Sequence, residues 1–216
     1  MLFDLRGKRR RAVQATYLTL AVLMGGGLVL FGIGGSGTGN VFDAFTGGGG
    51  DGGDSGLEKR IERQEAKLKT SPNNTAVLAG LVKLNYQAAV SQTPSGSTTI
   101  GEDGKDDLRE AAKYWERYVA ATDGKPDPTL AQYAFTVFNQ DGLNQPAKAK
   151  EVVRVLAADR NDFQTYLLLV QYATAARDTR TAQLAATKAV DLAPKSQRKE
   201  VQKAAKQLQT AAPQQQ

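Results

Sequence analysis

From Leu57 onward, apolar residues recur at intervals of three and four, the spacing that lays one apolar stripe along a helix. The run LEKRIERQEAKLKT predicts a charged amphipathic helix over 57–70, with Leu57, Ile61 and Leu68 on its stripe and Ser71-Pro72 ending it. Further helices are predicted over 74–91 (Val77, Leu78, Leu81, Val82, Leu84) and over 106–121 (Leu108, Ala111, Ala112, Trp115, Tyr118, Val119). Pro128 opens the next, with Leu130, Tyr133, Phe135, Val137 and Phe138. The pattern continues over 146–158, 163–176 and 181–192, and a lysine- and glutamine-rich helix follows Pro194. No stretch alternates with period two, so the expected class is all-α.

Residues 12–34, AVQATYLTLAVLMGGGLVLFGIG, obey a different rule and carry no charge over 23 positions. As a helix at roughly 1.5 Å per residue they reach about 34 Å, enough to span a hydrocarbon core of about 30 Å. Arg6, Lys8, Arg9, Arg10 and Arg11 precede them, and Asp43, Asp51 and Asp54 follow. The positive-inside rule then predicts a basic cytoplasmic tail over 1–11, a transmembrane helix over 12–34 and an extracytoplasmic remainder. A cleaved signal peptide is the competing reading. Its apolar region is normally shorter and ends in an A-x-A-like site, which is missing here. A retained anchor is therefore expected. Residues 35–56 are rich in glycine, including Gly47 to Gly50, and read as a flexible tether with a root-mean-square reach of roughly 25 Å.

Charge and composition narrow the chemistry. The net charge of +6 resides in the first eleven residues (+4) and in the cluster Lys195, Arg198, Lys199, Lys203 and Lys206 against Glu200 (+4), leaving residues 43–194 at −2. A nucleic-acid-binding module carries its charge on the folded domain, so no nucleic-acid partner is expected. With no cysteine and no histidine, thiolate and imidazole catalysis and Cys/His zinc sites are excluded. The carboxylates Glu102, Asp103, Asp106, Asp107 and Asp127 read first as helix-capping and solubilising residues, ahead of a cation site or an acid/base pair. GEDGKDD (101–107) lacks the alternating ligands of a calcium loop. No catalytic, cofactor or metal residue is assigned.

Helix pairs of this length direct attention to a repeat of about 34 residues. Tyr166, Leu169, Val170 and Ala173, then Ala182, Ala186, Ala189 and Pro194, follow the spacing of the tetratricopeptide repeat signature, and AQLAATKAVDLAP resembles that family's second helix. Val170 replaces the usual glycine, Ala173 the tyrosine and Ala186 the phenylalanine. Two looser pairs lie upstream, one through Tyr133, Val137, Ala149, Val153 and Leu156, the other through Ala111, Trp115 and Tyr118. The resemblance covers 71–194 and implies a short array of about three antiparallel helix pairs, closed by a basic capping helix and tail over 195–216. The tail lysines read first as the polar outer face of a cap, with contact to anionic lipid or wall polymer as the alternative.

Anchor, tether and repeat domain together resemble the single-pass tetratricopeptide proteins of bacterial envelopes, such as ancillary subunits of the protein-export translocon. The resemblance implies a protein-binding scaffold whose partners belong to a translocon or envelope-assembly complex, with a groove lined by the first helix of each pair. Its candidate residues are Asn85, Gln132, Tyr133, Asn139, Gln164, Gln171 and Tyr172. Two other functions compete. One is a structural subunit held in a larger complex through residues 12–34, and the other is a cleaved, secreted wall-binding module.

Overall fold

The computed structural model describes residues 54–93 and 100–210. The anchor assigned to 12–34, most of the tether and the last residues of the tail lie outside them. Among the described residues there are eight α-helices and no strand. These are α1 (Asp54–Thr70), α2 (Thr75–Ser91), α3 (Glu102–Ala121), α4 (Pro128–Phe138), α5 (Pro146–Arg160), α6 (Phe163–Ala175), α7 (Thr179–Leu192) and α8 (Arg198–Thr210). The all-α expectation holds there. No helix among these residues is long and apolar enough to cross a membrane.

Short polar side chains start four of the helices. Asn74 accepts from the Val77 N–H at 3.2 Å and opens α2. Asp127, followed by Pro128, accepts from Thr129 and Leu130 and opens α4. Asp162 and Asp178 open α6 and α7 with one shared device. Each carboxylate accepts the N–H of the threonine three residues on, Thr165 or Thr181, and that hydroxyl donates back at 2.8 Å. This D-x-x-T start satisfies helix-end donors that would otherwise stay unpaired.

Helix α3 begins four residues before the expected position. The acidic insert read as a loop supplies its first turns. Glu102 and Asp103 sit at the positive end of the helix dipole, and Lys105 and Arg109 pair with Glu102 and Asp106 one turn back. Gly104 explains the tight entry, because a β-carbon there would lie 2.7 Å from the Ala89 carbonyl oxygen of α2.

Each helix packs against the next in sequence from α1 to α8, and further contacts join α2 to α4 and α6 to α8. One apolar cluster runs from Leu68 of α1 to Ala185 of α7, through Leu78, Leu81, Leu108, Phe138 and Leu156. A smaller one joins Ala189 and Ala193 to Val201 of α8. The Tyr114 hydroxyl of α3 donates to Glu65 of α1 at 2.6 Å. Burial, then this carboxylate, push the phenol well above its ordinary pKa.

The α6–α7 corner yields two expectations. Arg177 adopts φ +59°, with its N–H on the Thr174 carbonyl and the Asp178 N–H on that of Ala173, the hydrogen-bond pair of a Schellman end. Glycine suits this conformation better than a β-carbon-bearing residue. Arg177→Gly is expected to raise stability by roughly 0.5–1 kcal/mol in urea titration. Asp178 meets Lys150 of α5 at 2.8 Å, and that hydrogen bond, with those from Thr181, holds its carboxyl well below the usual range. The folded pKa thus lies beneath the unfolded value of about 3.9, so the carboxylate stabilises the fold above that pH and ceases to as pH falls further. Asp178→Asn is expected to flatten the decline in Tm between about pH 5 and pH 2, followed by circular dichroism. A decline of undiminished steepness would assign the acid sensitivity to other carboxylates.

Candidate functional site

Helices α2, α4 and α6 lie alternately in the chain and touch through aromatic rings. Tyr86 of α2 meets Tyr133 of α4 edge-on, with centroids 5.4 Å apart. Phe135 of α4 meets Tyr172 of α6 in the same manner, also at 5.4 Å. The Lys83 ammonium of α2 stands 5.7 Å from the centre of the Tyr133 ring, a cation–π arrangement. Burial raises the Tyr86 phenol above its ordinary pKa, a hydrogen bond with Thr136 opposes this, and neighbouring Tyr133 adds to it.

The candidate residues divide between surface and core. Gln132, Gln164 and Gln171 are exposed, and Tyr133 is half-buried against Tyr86. Asn85, Asn139 and Tyr172 are buried, with 3%, 7% and 8% of their surface exposed, so the structure assigns them to packing and not to a groove surface. The Asn85 amide donates to the Leu81 carbonyl one turn back in its own helix at 2.8 Å. Asn139 ends α4, and its Oδ1 accepts from the N–H groups of Asp141 and Gly142 at 3.0 and 2.9 Å. Burial pushes the Tyr172 phenol up to about 12, with the Asp141 carboxylate adding to the shift and a hydrogen bond with the Gln140 backbone opposing it. A helical amide or tyrosine looks equally polar in a sequence whichever way it points. Only the packing separates the two groups.

Sequence reading passed over the surroundings of these residues. Between them α2, α4 and α6 carry one charged side chain, Lys83, whereas α3 and α5 are densely charged. The signal was present in the sequence as three nearly charge-free helices alternating with charged ones. The exposed positions of α4 and α6 are Thr129, Gln132, Gln164 and Gln171, while α2 adds the 42% exposed Val90. With the half-buried Tyr86 and Tyr133, the former offer amides, a hydroxyl and phenol edges suited to hydrogen bonding with a polypeptide backbone and to stacking.

Among the described residues, no three metal-ligating side chains gather. Two shallow recesses, of about 320 and 350 Å³, lie elsewhere, along α8. No model of a known protein family matches the chain, and no curated protein or solved structure is significantly similar to it.

Proposed function

We propose that this chain is a membrane-anchored, tetratricopeptide-like scaffold on the extracytoplasmic side, binding a protein partner of a secretion or envelope-assembly complex. The observation that carries the reading is the contact chain Lys83–Tyr133–Tyr86 and Phe135–Tyr172, which joins three nearly uncharged helices. Sequential packing from α1 to α8 supports it, since a stacked array buries its core between neighbours. The apolar span over 12–34 and the tether supply the rest. A tether with a root-mean-square reach of roughly 25 Å confines the domain with membrane-bound partners, and recruitment follows from that effective concentration.

The surface is tested by placing a photoreactive amino acid at Gln132 or Gln171, or at Arg154 on α5, in the full-length protein in its own membrane. The reading predicts adducts with translocon or envelope-assembly proteins from the first two positions, at several times the yield from Arg154. Equal yields from all three would remove the surface formed by α2, α4 and α6 from the proposal. Exchanging residues 12–34 for an unrelated span tests the structural-subunit alternative, which requires loss of assembly where recruitment predicts retention.

A further inference from the structure

We infer that the outer face of α8 binds the anionic phospholipid headgroups of the membrane to which the chain is anchored. This rests on the proposed anchoring. The opposite face of α8 is committed to the fold. Val201 and Ala205 are buried, and Leu208 packs against the main core. Lys199, Lys203 and Lys206, spaced by four and three, form one exposed stripe and line a shallow recess together with Gln202, Gln207 and Thr210. Among the described residues no carboxylate lies within ion-pair distance of these three ammonium groups, and Glu200 is the single acid on the helix. On α3 and α5, by contrast, lysines and arginines pair with carboxylates, as in Lys113–Glu110, Lys148–Glu116 and Arg154–Glu151. Arg198 is turned away from the stripe, its Nε donating to the Ala193 carbonyl at 3.2 Å.

The chemistry of the stripe selects the partner. Lysines act as compact point charges, suited to a diffuse anionic surface, whereas arginine forks fit a bidentate site. The helix has no aromatic residue for base stacking, which argues against nucleic acid. Its outer face has no large apolar side chain, so it rests on headgroups without inserting. In the anchored chain the tether raises the effective concentration of a lipid surface around the domain. At about 1 kcal/mol per lysine near an anionic surface, loss of all three corresponds to roughly 100-fold weaker attachment.

The chain contains no cysteine, so Gln207→Cys supplies a single thiol for a fluorophore. Full-length protein carrying it is reconstituted into phosphatidylcholine vesicles with or without about one-third phosphatidylglycerol, each with a headgroup-linked quencher. Salt-resistant flotation with both vesicle types reports the anchor alone. The inference predicts quenching only with phosphatidylglycerol, suppressed by high salt and by Lys199→Gln/Lys203→Gln/Lys206→Gln. Equal quenching in both vesicles, or quenching unchanged in the triple variant, would overturn it and leave the anchor standing. If salt-resistant flotation fails, the anchor reading falls. The stripe then still predicts salt-sensitive flotation with phosphatidylglycerol vesicles alone, and its absence would overturn the inference as well.

Discussion

Phe138→Ala is expected to cost about 4 kcal/mol of folding stability. Phe138 is the last residue of α4 and is 1% exposed, so truncation leaves a void lined by the cluster that links α1 to α7. Its backbone also anchors the following turn, because the Gln145 N–H bonds its carbonyl at 3.0 Å. The neighbours are held by two helices and that turn, so the space has little means to collapse, and the cost falls well inside the range of roughly 3–5 kcal/mol for such truncations. Urea unfolding should show a lower midpoint with an unchanged slope. A loss below about 1 kcal/mol would mean that the α4–α5 corner is not packed as described.

At the same corner, Gly142→Ala is expected to cost about 3 kcal/mol. A β-carbon there would lie 2.3 Å from the Thr136 carbonyl oxygen and 2.5 Å from that of Val137. Both obstacles are backbone atoms at the end of a helix, and no rotamer change relieves them. The turn cannot easily shift, since Asn139 Oδ1 holds the Gly142 N–H and the Leu143 N–H bonds the Val137 carbonyl at 2.8 Å. Gly80→Ala is the matching control. The nearest atom to its added carbon is Gln64 Nε2 at 3.8 Å, and alanine is the better helix former by up to about 1 kcal/mol. The account predicts opposite signs for the two glycine-to-alanine changes in one chemical-denaturation series. Equal effects would contradict it.

Helices were legible from the chain wherever an apolar stripe met a plain start or stop. Pro128, Pro146 and Phe163 open helices where the sequence reading sets them. The acidic insert was not legible, because glycines and acids are common to loops and to first helical turns. What decides between them is the approach of Gly104 to the Ala89 carbonyl, a fact about α2 that lies outside the segment's own sequence. The start of α7 at Thr179 was missed by two residues for want of the D-x-x-T reading at Asp178, although the same spacing marks Asp162. Of the candidate surface, Asn139 had a readable warning. The run Asn139-Gln140-Asp141-Gly142 is turn chemistry, and the structure uses its amide to hold that turn. Asn85 had none, since burial through a bond to its own helix leaves no trace in residue spacing. The basic tail helix was legible as charge. Its arrangement as one unpaired stripe over a buried Val201–Ala205 face was not, because that depends on how α8 docks on α6 and α7.

The central claim is recruitment by a protein held at a membrane, and the most direct measurement is crosslinking and affinity recovery of the full-length chain from its native membrane, with partners identified by mass spectrometry. The account predicts an intact chain, in the membrane fraction, enriched with translocon or envelope-assembly components. Recovery of the chain alone, or as a soluble form lacking residues 1–35, would contradict it.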